Sequence, residues 1–284
     1  MARRWPALLA MAVAAGLVVF ALVRGDSGLA GQRTSGAEPL GPQASAVVAA
    51  SQRLGLEVLS VRPHDRSAFT QGLLLHNGLL YESTGLVGES SLREVDPHSG
   101  AVLRRMTVDP PVFAEGLALV DDRLIQLTWQ SGVAFVYDLA SFGKIQELRY
   151  TGEGWGLCYD GNRLVMSDGS NQLFFRDPGT FDLVGQIPVM RDGLPVTRLN
   201  ELECVGDEVY ANVWQTDEIV HIERDTGRVL ATIDASGLLS PEEARARAPD
   251  DVLNGIAFDA DTGTFLITGK RWPRLYEVRF VPKG

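Results

Sequence analysis

A pattern that recurs at intervals of 44, 40, 46 and 53 residues constrains the fold of this chain more than any other feature. Each copy begins with a polar or aromatic residue and continues as a short apolar strand. In four copies the second residue is Gly, which we expect where two backbones approach closely. Repeats of about 40–50 residues with four short strands each are typical of β-propeller blades. The five copies begin at Gln71, Glu115, Trp155, Glu201 and Asn254.

Each copy continues through a turn rich in Asp, Asn and Gly into a second and a third strand, and four copies add a fourth. Apolar alternation between such turns indicates antiparallel hairpins. The fifth copy stops after its third strand, and one unassigned strand, residues 56–61, precedes the first copy. Adding that strand to the last copy would remove the free edges. The sequence therefore predicts an all-β fold, a five-bladed β-propeller closed by an N-terminal strand, as one domain over residues 53–284.

The longest interval contains an insertion with a helix signal. Ser240 is suited to the N-cap, Pro241 to the first helical position, and Glu243 to the capping box. These residues predict a short helix over residues 241–248.

The N-terminal residues indicate export. Arg3 and Arg4 precede an uncharged apolar run over residues 6–23, which predicts a signal peptide or signal-anchor over residues 1–24. Residues 25–52, rich in Gly, Ala, Ser and Pro, are expected to be a flexible tether. The location would be periplasmic, secreted or anchored on the outer side of the membrane. There, Cys158 and Cys204 could form a disulfide or remain two buried thiols.

The composition argues against several classes of function. With 36 acidic residues against 26 Lys and Arg, the net charge of −10 disfavours nucleic acid as a partner. Two Cys and four His leave little material for a metal site, and no zinc, nucleophile-elbow or phosphate-loop motif occurs. Asp259, Asp261 and Gly263 resemble part of a calcium loop, but a hairpin turn is expected because other ligands are missing. We expect no cofactor and no metal.

The repeat also predicts a site. In an antiparallel hairpin, the start of the first strand lies beside the end of the second, so both sets of residues should meet at one mouth of the central channel. An aromatic cup with a few polar groups is the usual form of a small-ligand site, although each Trp could instead pack a blade junction. The residues expected in the cup are Phe69, Gln71, Phe113, Glu115, Trp129, Trp155, Asn200, Glu201, Trp214 and Lys270.

Short motifs in every copy carry a family resemblance. They include Phe69-Thr70-Gln71-Gly72-Leu73, Gly154-Trp155-Gly156-Leu157, Leu199-Asn200-Glu201-Leu202-Glu203 and Thr268-Gly269-Lys270. Over about residues 54–280 the chain resembles the plant-type glutaminyl cyclase family. The resemblance implies a five-bladed propeller that converts the N-terminal Gln of peptides or proteins into pyroglutamate, releases ammonia and uses no catalytic metal. We expect a monomer.

In such a reaction the α-amine attacks the side-chain carbonyl, and a proton moves from the amine to the leaving nitrogen. Glu115 is the candidate proton carrier, because aromatic neighbours should raise its pKa towards neutrality. The resemblance implies that Asn200 orients the substrate amide and that Lys270 stabilises the oxyanion. The residues expected to bind the substrate or exclude water are Phe69, Gln71, Phe113, Trp129, Trp155, Glu201 and Trp214.

Two other functions remain open at this point. A calcium-dependent propeller hydrolase, such as a lactonase, would need carboxylates clustered on a metal in the channel. A non-catalytic binding propeller at the cell surface would need only a ring of interchangeable polar residues. Sensitivity to chelators and action on Gln-initiated peptides distinguish the three.

Overall fold

The computed structural model describes residues 50–108 and 112–283. Strand β1 (Gln52–Pro63) is followed by three separate four-stranded antiparallel sheets, each formed by consecutive strands. The first contains β2 (Thr70–His76), β3 (Leu79–Thr84), β4 (Ser91–Val95) and β5 (Val102–Thr107). The second contains β6 (Ala114–Val120), β7 (Arg123–Thr128), β8 (Val133–Asp138) and β9 (Lys144–Arg149). The third contains β10 (Leu157–Tyr159), β11 (Leu164–Met166), β12 (Gln172–Arg176) and β13 (Leu183–Pro188).

The fourth and fifth copies of the repeat share one sheet of ten strands. Its strands are β14 (Met190–Arg191), β15 (Leu194–Pro195), β16 (Leu199–Val205), β17 (Glu208–Val213), β18 (Glu218–Glu223), β19 (Arg228–Asp234), β20 (Leu253–Asp259), β21 (Thr264–Gly269), β22 (Arg274–Pro282) and β1. Strand β1 pairs antiparallel with β22 and, at its first three residues, parallel with β19. The all-β prediction and the pairing of residues 56–61 with the last copy are thus confirmed, whereas the hairpin β14–β15 was not predicted.

In each four-stranded sheet the first strand is buried and the fourth is largely exposed. In β6 only one of seven residues is less than fully buried, whereas in β9 only one of six is buried. This gradient follows from the sequence, because residues 117–119 of β6 are apolar whereas β9 carries Lys144, Glu147 and Arg149. The first strand of each copy therefore lies in the core.

The five first strands also contact one another in a closed order. Strand β2 packs against β6 and β20, β10 packs against β6 and β16, and β16 packs against β20. Glycine makes this approach possible: a Cβ atom on Gly72 would lie 2.5 Å from the Leu117 nitrogen, and one on Gly116 would lie 2.5 Å from the Leu157 nitrogen. The expectation of close backbone approach at these positions is confirmed.

Helix α1 (Pro241–Ala246) occupies the predicted insertion. The Ser240 side chain accepts a hydrogen bond from the Glu243 nitrogen, and the Glu243 carboxylate accepts one from the Ser240 nitrogen, which completes the capping box. The helix ends two residues before the predicted boundary. Within the described ranges no helix has the length and hydropathy needed to cross a bilayer. The predicted export segment, residues 1–24, and residues 25–49 of the predicted tether lie outside these ranges.

Cys158 and Cys204 form a disulfide between the first strands of the third and fourth copies. The sequence left this pairing open against two free thiols. The bond closes a loop with a sequence separation of 46 residues. Constraining an unfolded chain over such a loop is worth on the order of 4 kcal/mol.

We expect replacement of both cysteines with alanine to lower the free energy of unfolding by about 2–4 kcal/mol, because the unfolded chain regains its loop entropy. Urea denaturation of the wild type, the variant and the wild type in reductant measures this. The variant and the reduced wild type should unfold at similar midpoints. Identical midpoints for oxidised wild type and variant would show that the bond contributes nothing.

Candidate active site

A cavity of about 360 Å³ opens where the first strands begin and the second strands end. Nine of the ten residues predicted for the site line this cavity, and Glu201 does not. Leu86 and Asp250 also line it, although the sequence did not indicate them. We call this cavity the cup. Its lining residues are Phe69, Gln71, Leu86, Phe113, Glu115, Trp129, Trp155, Asn200, Trp214, Asp250 and Lys270.

A β-bulge interrupts four of the first strands where they reach the cup. In β16, Leu199 pairs with Val213 but Leu202 pairs with Ala211, so one extra residue is present between them. The same shift occurs in β2, β6 and β20. Bulges redirect side chains and often lie beside functional sites. In β16 the side chain that reaches the cup belongs to Asn200.

Glu201, which was expected to contact the substrate, instead holds backbone groups in the core. Its carboxylate accepts hydrogen bonds from the Ile256 nitrogen at 2.8 Å and the Leu73 nitrogen at 3.3 Å. Glu203 accepts one from the Phe258 nitrogen at 2.8 Å. Glu201 therefore joins the first strands of three copies. The predicted register of the fourth copy is one residue too late, because no Gly marks the position there. Leu199 pairs with Val213 as Ala114 pairs with Thr128 in β6, so Asn200, not Glu201, is the counterpart of Glu115.

Five aromatic rings, in a group of three and a pair, form much of the wall. The Phe113 ring meets the rings of Phe69 and Trp129 edge to face, with centroids 6.1 and 5.8 Å away. The rings of Trp155 and Trp214 are also perpendicular, with centroids 5.5 Å apart. Edge-to-face contacts restrict ring rotation as well as excluding water. The cup is therefore a walled apolar surface with few polar groups in it.

Glycines at two second-strand ends make room for these rings. A Cβ atom on Gly85 would lie 2.3 Å from the Phe113 ring, and one on Gly169 would lie 2.6 Å from the Trp155 ring. Any side chain at either position would have to displace the ring from the wall. These glycines match the prediction that both strand ends lie at the mouth.

Serines from second strands hold the backbone of two central residues. The Ser83 hydroxyl donates to the Glu115 carbonyl oxygen, and the Ser167 hydroxyl donates to the Asn200 carbonyl oxygen at 2.7 Å. Ser83 in turn accepts a hydrogen bond from the Gln126 side chain at 2.8 Å. Each serine thus fixes a polar cup residue that belongs to the next copy of the repeat.

Burial raises the pKa of Glu115 well above its usual range. The positive charge of Lys270 acts in the opposite direction, and the negative charge of Glu153 adds to the increase. The Glu115 side chain is only 5% exposed. Desolvation disfavours a carboxylate, so this group holds its proton at a higher pH than an exposed glutamic acid does.

Burial lowers the pKa of Lys270, while the carboxylates of Glu115 and Asp250 favour its charged form. Its ammonium nitrogen lies 5.0 Å from the centroid of the Phe69 ring. A cation beside the face of an aromatic ring is attracted to it, most strongly where water is excluded. The cup therefore contains one acid and one base whose proton affinities are both shifted by burial.

Two amides present polar atoms in the same cup. The Asn200 Oδ1 atom is buried and has no hydrogen-bond partner among the described residues. Gln71 Oε1 accepts from Asn254 Nδ2 at 3.3 Å, which leaves the Gln71 amide nitrogen for a ligand. An unpaired buried acceptor is costly unless a ligand donates to it. Asn200 is therefore suited to an N–H donor on a bound molecule.

The sequence missed Leu86 and Asp250 for a common reason. Leu86 follows β3 in a turn, with a φ of 85° that is unusual for leucine. Asp250 lies in the insertion after α1 and is exposed. Both positions fall outside the recurring strands, so the repeat carries no signal for them.

Within residues 50–108 and 112–283 no group of three or more His, Cys, Asp or Glu side chains is arranged to hold a metal ion. The Asp259–Gly263 segment forms the turn between β20 and β21, and the Gly263 nitrogen donates to the Asp259 carbonyl oxygen. The hairpin interpretation of that segment is thus confirmed.

Comparison with known proteins gives consistent similarities. The sequence model of the glutamine cyclotransferase family matches residues 34–280. A glutaminyl-peptide cyclotransferase of Arabidopsis thaliana is 42% identical over 226 residues, which cover 79% of this chain and 71% of that protein. The crystal structure of Myxococcus xanthus glutaminyl cyclase superposes with a TM-score of 0.77 at 40% identity. The superposition covers 82% of this chain and the whole of the Myxococcus xanthus chain.

The carboxyl of Glu203, a partly buried residue of β16, predicts how stability depends on pH. Burial raises its pKa to about 8, so the folded protein binds this proton more tightly than the unfolded chain does. The contribution of this proton to the free energy of unfolding is fully present below the pKa of the unfolded chain, near 4.5. It is lost as the pH rises through the pKa of the folded protein, about 8. Glu203→Gln should reduce the loss of unfolding free energy over this interval by up to ~1.4 kcal/mol per pH unit.

Chemical denaturation at pH 5, 7 and 9 measures this slope. Glu57→Gln, at an exposed position of β1, is the matched control and should leave the slope unchanged. An identical pH dependence in the wild type and Glu203→Gln would contradict the assignment of a raised pKa to Glu203.

Proposed function

This chain belongs to the glutamine cyclotransferase family and is a glutaminyl-peptide cyclotransferase. We propose that the cup is its active site, where the N-terminal Gln of a peptide cyclises to pyroglutamate with Glu115 as the proton carrier. The observation that carries this assignment is a buried carboxyl of raised pKa beside a buried lysine, inside an aromatic wall. Such a pair suits a reaction that moves one proton and develops one negative charge.

The cup first has to fold the substrate back on itself. Lactam formation needs the α-nitrogen near the side-chain carbonyl carbon of the same residue, and an enclosed wall favours that compact conformation. The aromatic rings exclude water from both reacting groups. The remainder of the peptide would extend into solvent through the mouth, so the following residues can vary.

Glu115 then moves the proton. As a carboxylate it accepts a proton from the α-nitrogen, which attacks the side-chain carbonyl and forms the new C–N bond. As an acid it donates the proton to the amide nitrogen, the old C–N bond breaks, and ammonia leaves. A raised pKa suits the second half of this cycle, because the carboxyl binds its proton more tightly than an exposed glutamic acid does, and the charge of Lys270 favours the carboxylate that the first half needs.

Lys270 and two amides would bind the other atoms of the substrate. The Lys270 ammonium would face the carbonyl oxygen, whose negative charge increases in the transition state. Asn200 Oδ1 would accept a hydrogen bond from a substrate N–H group, since it has no partner among the described residues. The amide nitrogen of Gln71 would donate to the substrate, as its oxygen is engaged by Asn254.

We also propose that the architecture is a five-bladed β-propeller closed by β1. The closed order of contacts among the five first strands supports it, as does the pairing of β1 with β22. Closure of the last blade by an N-terminal strand would protect its edge.

We also propose that the protein is exported, works without a metal and is a monomer. The disulfide between Cys158 and Cys204 supports an oxidising compartment. The basic pair and apolar run within residues 1–24 support a signal peptide or a membrane anchor.

Glu115→Gln should lower kcat on Gln-initiated peptides by a factor on the order of 10²–10⁴, because the side chain keeps its size but no longer carries the proton. Mass spectrometry of Gln-Xaa peptides, with ammonia release as a second readout, measures turnover. A rate near that of the wild type would remove Glu115 from this role.

The matched control is Glu57→Gln on the exposed surface, which should retain full activity. The same assay with chelator separates the proposed reaction from a metal-dependent one. Full activity after chelation is expected, whereas loss of activity that added metal restores would contradict metal independence.

A further inference from the structure

Glu153 is hydrogen-bonded to two tryptophans of the cup but is not one of the residues that line it. Its Oε2 atom accepts hydrogen bonds from the indole nitrogens of Trp129 at 2.7 Å and Trp155 at 2.9 Å. Its other oxygen accepts one from the Gln130 side chain at 2.9 Å. One carboxylate therefore holds two tryptophans that belong to different copies of the repeat.

The hydrogen bonds to Glu153 add to the ring contacts that orient Trp129 and Trp155. Trp129 follows the last residue of β7 and is 38% exposed, so packing encloses it incompletely. An indole N–H can only donate, so a charged acceptor restricts the direction of the ring as well as its position. Trp129 also packs against Phe113, and Trp155 against Trp214, so a change at Glu153 reaches both aromatic pairs.

We propose that Glu153 is a positioning residue for the cyclisation, which fixes two indole walls of the cup and adds a negative charge within electrostatic range of Glu115. This inference rests on the proposed function of the cup. No substrate contact is required of Glu153, because it acts through the rings and through its charge.

The charge of Glu153 follows from its hydrogen bonds. Partial burial acts to raise its pKa, but the bonds from Gln130, Trp155 and Trp129 outweigh burial and lower the pKa. The side chain is therefore a carboxylate at neutral pH. Its charge acts to raise the pKa of Glu115, so the proton carrier binds its proton more tightly than it would without Glu153.

Titratable groups on the neighbouring elements also act on the carboxyl of Glu115. Lys270, after β21, lowers the pKa of Glu115, and Asp250 acts on Lys270 in turn. Tyr150 also lies within range of Glu115, but its hydroxyl has a pKa of about 12 and is neutral. Glu153 and Lys270 are thus the two charges that act on Glu115 in opposite directions.

Two substitutions separate the effect of the hydrogen bonds to the tryptophans from the effect of the negative charge. Glu153→Gln keeps a carbonyl oxygen that can accept both indole N–H groups, and the Gln130 amide can turn to accept from the new NH₂ group. Glu153→Ala removes the acceptor and the charge together. Glu147→Gln removes a carboxylate from the exposed strand β9 and is the matched charge control.

Steady-state kinetics on a Gln-initiated peptide across pH 4–9 test the proposal. For Glu153→Gln we expect KM within about two-fold of the wild type, and an acidic limb of kcat/KM that moves to lower pH by about 0.5–1 pH unit. For Glu153→Ala we expect the same movement together with a KM increase on the order of ten-fold, because the walls are no longer fixed. Glu147→Gln should match the wild type in both.

Each outcome has a clear meaning. An acidic limb that stays in place in Glu153→Gln overturns the electrostatic part, and a KM increase equal in both variants overturns the part played by the hydrogen bonds. Thermal unfolding shows whether Glu153→Ala folds. If it does not, Glu153→Gln still supports the proposal when its KM matches the wild type and its acidic limb of kcat/KM moves to lower pH. An inactive wild type would refute the proposed function itself, whereas an active wild type with indifferent variants refutes only this inference.

Discussion

The close approach of the first strands is the constraint on which the rest of this structure depends. Where Gly156 lies, a Cβ atom would be 2.0 Å from the Asn200 carbonyl oxygen, and the equivalent glycines of the first two copies are almost as confined. Side chains are excluded there, so neighbouring strands meet backbone to backbone. The residue before each of these glycines lies at the cup, which explains why Gln71, Glu115 and Trp155 converge.

This packing also determines the chemistry of the cup. Strands in such close contact leave Glu115 and Lys270 only 5% and 4% exposed. Burial is therefore the largest influence on both pKa values, and it raises that of the acid and lowers that of the base. Serines of the second strands then fix the backbone of Glu115 and Asn200. The positions of the polar groups and their proton affinities thus have the same origin.

Much of this could be predicted from the sequence, because strands and turns leave a periodic signal. The interval of the repeat located the first and second strands of every copy and brought nine cup residues together. Glu201 was misplaced because the fourth copy lacks the Gly that marks the register in the other copies, and the strand pairing makes Asn200 the counterpart of Glu115. Leu86, Asp250 and Glu153 lie outside the recurring strands, and contacts between distant turns leave no pattern in a single sequence.

The most direct test of this account is a crystal structure of the Glu115→Gln variant with a Gln-initiated peptide, since slow turnover should preserve the complex. We predict that the side-chain carbonyl oxygen of the substrate lies about 3 Å from Lys270 Nζ. Its α-nitrogen should lie beside residue 115, with a substrate N–H directed at Asn200 Oδ1. A peptide bound outside the cup, or one whose side-chain amide points to solvent, would contradict the account.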